Sequence, residues 1–144
     1  MTDFDLENFL PYRLYQAAER ASEGFHRIYG ERFGLSRTEW RVLFNIGQYG
    51  PLSASALSKR AGFHKTQISR AVVRLENKRW VERVAGHDDR RTHDLTLTGE
   101  GKRNFQELTQ LANEYSASLL SDFEHGDATS LLAQLRRIEA CIAE

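Results

Sequence analysis

Gly62-Phe63-His64-Lys65-Thr66-Gln67-Ile68-Ser69-Arg70-Ala71-Val72-Val73-Arg74-Leu75-Glu76-Asn77-Lys78 carries two patterns at once. Ile68, Ala71, Val72 and Leu75 recur at intervals of three and four, the spacing of one buried stripe on an α-helix. Projected at 100° per residue, the opposite face holds Thr66, Ser69, Arg70, Val73 and Asn77, flanked by Lys65, Gln67 and Arg74. Hydroxyls, amides and cations of this kind bind base edges and phosphates. A B-form major groove, about 12 Å wide, admits one helix that is apolar on its supported side and polar on the other.

The residues before this helix set up its partner. Ser53 is placed to cap a short helix in which Leu57 and Ala61 form an apolar edge, and Gly62 ends it, leaving the three-residue turn Gly62-Phe63-His64. Upstream, Ser36-Arg37-Thr38-Glu39 fits a capping box opening a helix with Trp40, Leu43, Phe44 and Gly47 facing inward. Tyr49-Gly50-Pro51 stops that helix, with Gly50 expected in the left-handed conformation. Downstream, Trp80–Ala85 and Thr92–Leu97 read as two strands joined by the charged tip Gly86-His87-Asp88-Asp89-Arg90-Arg91. Helix, short helix, turn, helix and hairpin together are the layout of a winged helix-turn-helix.

The flanking segments are helical. Leu10, Leu14, Ala17, Ala21, Phe25 and Ile28 form one stripe of a first helix from Leu6 to Phe33, with Pro11 in its first turn and Gly34 at its end. Thr98 caps a long helix, expected to reach about Phe123, with Phe105, Leu108, Ala112, Tyr115 and Leu119 in one seam. Asp127 is expected to cap a last helix presenting Leu131, Leu135, Ile138 and Ile142. The fold expected is mainly α with a small β-hairpin wing, one unit over residues 1–144. Residues 35–98 form its DNA-binding region, and 1–34 with 99–144 a helical dimerisation region.

Bulk properties fit this. The chain has 144 residues, 40% hydrophobic and 28% charged, enough for one well-buried core. Its net charge of zero is a cancellation between regions: Lys59 to Arg103 holds twelve Lys or Arg against six Asp or Glu, a net of +6. A basic island on an otherwise acidic chain suits phosphate attraction. The acidic start and the lack of any long apolar run predict a cytoplasmic protein without a signal peptide or membrane span. The single cysteine, Cys141, excludes an internal disulfide and agrees with a reducing compartment.

Several short motifs resemble the multiple antibiotic resistance regulator (MarR) family of bacterial transcription factors, over nearly the whole chain. Asp89-Arg90-Arg91 followed by Leu97-Thr98 is similar to the family's wing signature. Leu35-Ser36-Arg37-Thr38-Glu39-Trp40, Ile68-Ser69-Arg70 and Leu75-Glu76-Asn77-Lys78 match beside it. The resemblance implies a homodimeric, ligand-responsive repressor of a pseudo-palindromic operator, with paired terminal helices and no enzymatic activity. It places Arg91 in the minor groove with Asp89 holding its guanidinium, and a narrow minor groove does concentrate negative potential that arginine can reach. Arg90 is expected at phosphate, as are Lys65 and Arg74, while Thr66, Gln67, Ser69 and Arg70 are expected at base edges or nearby phosphates. The family's usual switch implies a small aromatic or anionic effector, for which Tyr15, His26, Trp40, Phe44 and Tyr115 are candidate lining residues. No cofactor or metal is expected.

Two other readings rank lower. A metal-dependent hydrolase would have to use His87, Asp88, Asp89, His93 and Asp94, which lie in and beside an exposed hairpin without partner histidines at helical spacing. A redox-sensing regulator would have to work through Cys141, close to the C-terminus and better read as a small hydrophobe.

Overall fold

A computed structural model describes residues 3–86, 89–124 and 126–143. A short 3-10 turn at Leu6–Asn8 precedes α1 (Leu10–Phe33), α2 (Arg37–Tyr49), β1 (Leu52–Ser53), α3 (Ala54–Ala61) and α4 (Lys65–Asn77). Then follow β2 (Val81–Ala85), β3 (His93–Leu97), α5 (Gly99–Leu119) and α6 (Asp127–Ile142). The chain divides into two compact units, Met1–Leu111 and Ala112–Glu144.

In the first unit the helix starts follow the local chemistry. Ser36 Oγ accepts from the Glu39 amide, and the Glu39 carboxylate accepts from the Ser36 amide, so the capping box closes, with Glu39 4% exposed. Ser53 Oγ accepts from Ala56 N at 3.1 Å and opens α3. Gly62 ends α3 at φ 73°, and Gly34 ends α1 at φ 64°, where any other residue would be strained. Thr98 Oγ1 accepts from Gly101 N at 3.0 Å and so caps α5.

The core gathers Val42, Leu43 and Ile46 of α2, Leu57 of α3, the stripe Ile68, Ala71, Val72 and Leu75 of α4, Leu95 and Leu97 of β3, and Leu108 of α5. All four stripe residues of α4 are buried, as their spacing requires. Beside this core stands an aromatic cluster: Trp40 meets Phe25 and Phe44 edge to face with centroids at 5.3 Å, and Phe44 meets Phe105 at 5.5 Å. Tyr29, buried against Phe25 and Trp40, belongs to it although the α1 stripe omits it.

Several expectations need correcting. Gly50 is extended at φ −66°, ψ 163°; glycine is required there because a Cβ would lie 2.3 Å from the Ile46 carbonyl oxygen. The hairpin extends to a three-stranded antiparallel sheet in the order β1-β3-β2, with Leu52 opposite Leu95 and Val81 opposite Leu97. In α2, Trp40, Phe44 and Gly47 are only partly buried, and Val42 and Ile46 take the inner positions with Leu43.

In the second unit, α5 ends at Leu119, short of Phe123. Gly126, at φ 99°, is the N-cap of α6, and Asp127 is its first helical residue rather than its cap. No residue of α6 is buried, and Leu131, Leu132 and Ile142 are exposed.

Candidate nucleic-acid interface

The turn and first residues of α4 are fixed by a reciprocal cap. His64 Nδ1 accepts from the Thr66 amide at 3.3 Å, and Gln67 Oε1 accepts from the His64 amide at 3.1 Å. Opposite the buried stripe, Lys65, Thr66, Gln67, Ser69, Arg70, Val73, Arg74 and Asn77 are all exposed, so the sequence-derived polar face exists as one surface. Among the described residues, no carboxylate forms an ion pair with Lys65, Arg70, Arg74 or Arg90. An exposed cation without a carboxylate partner keeps its full charge for an external anion.

Not every cation of the basic island is available in this way. Arg83 on β2 makes a forked ion pair with Glu76 of α4, its Nη2 3.0 Å and its Nε 3.2 Å from Oε1. Two planar groups in that geometry hold each other well, and the contact fastens the hairpin to α4. Lys78 Nζ donates to the Gly34 carbonyl at 3.2 Å and approaches that of Phe33 at 3.4 Å, serving the orphan carbonyls at the end of α1. Its ammonium also stands 5.4 Å from the centroid of the Trp80 ring. Sequence reasoning counted both cations with the basic island; only tertiary geometry separates them from it.

At the hairpin tip, Asp89 Oδ1 accepts twice from Arg91, from the main-chain N at 3.0 Å and from Nε at 3.3 Å. The first bond closes a local turn of the kind aspartate favours, and the second aligns the guanidinium. The Asp89 carbonyl accepts from Thr92 N at 3.1 Å and from Thr92 Oγ1 at 2.8 Å, and Gly86 N donates to the Thr92 carbonyl at 2.9 Å. Thr92 is thus a part of the tip that residue type alone did not single out. The side chain of Arg91 is 91% exposed, pre-aligned yet in solvent. A groove of about 320 Å³ lies between α4, α3 and the sheet, lined by Lys65, Ser69, Ile68 and Val72 of α4, Arg83 and Leu95 of the sheet, and Ala54 and Ser55 of α3.

The five candidate effector residues are placed differently from one another. His26 lines an open cavity of about 750 Å³ with Glu23, Arg27, Glu31, Ser36, Glu39 and Arg74. Trp40 and Phe44 belong to the aromatic cluster, Tyr15 is 62% exposed on α1, and Tyr115 lies in the second unit. Near the cavity, burial pushes the Tyr29 phenol above its ordinary pKa, opposed by hydrogen bonds with Trp40 and Arg37.

His87 and Asp88 lie outside the described residues. Among the described residues no group of three or more His, Cys, Asp or Glu is arranged to hold a metal ion. Cys141 is exposed on α6. No helix among the described residues is long and apolar enough to cross a membrane.

Residues 33–92 match the model of the MarR family. The chain is 29% identical over 97 residues, 67% of its own length and 70% of the relative's, to the uncharacterised helix-turn-helix-type transcriptional regulator YwoH of Bacillus subtilis. It superposes on a MarR family transcriptional regulator from Silicibacter pomeroyi with a TM-score of 0.84 and 26% identity, covering 98% of this chain and all of that one. BpsR of Bordetella bronchiseptica, whose DNA binding is regulated by 6-hydroxynicotinic acid, shares the fold at a TM-score of 0.83 and 18% identity, covering 98% and 99% of the two chains. With an exposed polar helix and a wing arginine held by aspartate, the chain is a winged-helix, DNA-binding transcription regulator, similar over residues 33–92 to the MarR family.

Proposed function

We propose that the protein is a repressor, active in the cytoplasm as a homodimer and not as an enzyme, that reads a pseudo-palindromic site. In each half-site α4 enters the major groove. Thr66, Gln67, Ser69 and Arg70 face base edges or adjoining phosphates, and Lys65 and Arg74 contact phosphate. The wing places Arg91, aligned by Asp89, in the neighbouring minor groove, with Arg90 on the backbone. The observation that carries this reading is the exposed face of α4, on which Lys65, Arg70 and Arg74 have no carboxylate partner among the described residues.

Pairing of two chains is supported by apolar side chains that one chain leaves in water. Phe4, Leu6, Phe9 and Leu10 are exposed near the N-terminus, and Leu119, Phe123, Leu131, Leu132 and Ile142 in the second unit. Exposed apolar side chains in each unit are of the kind that a second copy would cover. A two-fold dimer would set two copies of α4 about one DNA turn, ~34 Å, apart.

The regulator responds to a small aromatic or anionic effector, with Arg27 and Arg74 as the cationic contacts in a cavity that Glu23, Glu31 and Glu39 also line. Arg74 lies both on this cavity and on the flank of α4, so an anion that engages it competes with phosphate. The test is binding of a footprinted upstream duplex across a salt titration, with and without aromatic carboxylates such as salicylate. Binding that steepens with each of Lys65, Arg74 and Arg91 and weakens with the carboxylate supports the reading; salt-insensitive or absent binding overturns it.

A further inference from the structure

The reciprocal cap at the start of α4 has a chemical consequence for base reading. The His64 amide can only donate, so the atom of Gln67 that it meets at 3.1 Å must be the carboxamide oxygen. This fixes which way the exposed amide of Gln67 is turned, directing its NH2 group away from the helix end. The other half of the cap needs His64 Nδ1 without a proton, since it accepts from Thr66 N.

We propose that His64 is a positioning residue for Gln67, and that Gln67 in consequence reads the major groove as a hydrogen-bond donor, selecting guanine over adenine at the base pair it faces. The inference rests on α4 being the groove-reading helix. Glutamine recognises adenine by accepting from the N6 amino group while donating to N7. Here the accepting oxygen is turned back to the helix start, and the outward NH2 would meet the adenine amino group donor to donor. Guanine presents N7 and O6, two acceptors side by side, and takes the same NH2 without disturbing the cap.

The backbone at His64, φ −64°, allows a decisive set of variants, because proline adopts that φ yet has no N–H. His64→Pro removes the donor that holds Gln67 Oε1. His64→Ser keeps the main-chain donor and supplies an alternative capping oxygen. Gln67→Glu keeps an oxygen for the cap but replaces the outward donor by an acceptor, which suits the cytosine N4 amino group.

The experiment selects binding sites from a library of randomised duplex DNA with the parent and with Gln67→Glu, Gln67→Ala, His64→Ser and His64→Pro, helical content being checked by circular dichroism. The expected parent prefers guanine over adenine on the order of tenfold at one position of each half-site. That preference passes to cytosine in Gln67→Glu, disappears in Gln67→Ala, persists in His64→Ser and collapses in His64→Pro. A parent that selects a site in which no position responds to Gln67, or in which the responding position is adenine, overturns the inference while leaving groove reading by α4 intact. A parent that selects no site overturns both.

Discussion

Replacing Arg91 by alanine separates DNA binding from folding, because the local turn does not need the guanidinium. The main-chain bond from Arg91 N to Asp89 Oδ1 at 3.0 Å survives the substitution, as do both bonds from Thr92 to the Asp89 carbonyl. What is lost in the free protein is an ion pair at 3.3 Å whose arginine is 91% exposed. Such pairs contribute about 0–1 kcal/mol, so the unfolding midpoint stays nearly where it was. On DNA the cost is larger and depends on salt. A cation in the minor groove displaces condensed counterions as one at a phosphate does, adding about 0.9 to the slope of log affinity against log salt, and a dimer has two wings, so the slope falls by about 1.8. Between roughly 50 and 200 mM salt the deficit of the variant therefore shrinks about twelvefold. Fluorescence anisotropy with a labelled operator duplex, read at several salt concentrations beside a urea melt, measures both. Parallel salt plots for parent and Arg91→Ala would refute the role given to the wing.

Other substitutions sort the remaining residues. Lys78→Ala and Arg83→Ala leave the salt slope unchanged, because their charges serve the end of α1 and Glu76; Lys78→Ala instead lowers stability by about 0.5–1.5 kcal/mol in urea melts. Leu75→Ala, at a fully buried position of the α4 stripe, costs about 2–5 kcal/mol and shows as a lower midpoint in the same melts. The raised pKa of Tyr29 means that the folded state holds the phenolic proton more tightly than the unfolded chain. Its stabilisation is complete below the ordinary phenol pKa of about 10 and is lost as pH rises through the folded value. Alkaline melts should thus steepen above about pH 10 in the parent and less so in Tyr29→Phe.

The elements most legible in the sequence were those whose signals are local. Ser36 with Glu39, Ser53 and Thr98 cap their helices as residue type and spacing require, and the buried stripe and exposed face of α4 follow from one periodicity. Two-residue β1 has no period to read, and it becomes a strand only because Leu52 lies beside Leu95. His64 escaped notice as a cap because Ser, Thr, Asp and Asn supply most caps, whereas here an imidazole nitrogen does it. Asp127 showed the opposite failure, a preferred capping residue sitting one place inside the helix behind Gly126. At the candidate interface the residue types were legible and their engagement was not. The forked contact of Arg83 with Glu76 and the reach of Lys78 to Gly34 join positions 7 and 44 residues apart, which no local pattern encodes.

Dimethyl sulfate protection on a footprinted upstream duplex tests most directly whether α4 reads DNA from paired chains, since it reports access to guanine N7 in the major groove. The expected pattern is two protected patches about 10 base pairs apart on one face of the duplex, both lost in Arg70→Ala at concentrations where the parent is bound. Guanine N7 atoms that stay reactive while the protein is bound, or a single unrepeated patch, would contradict it.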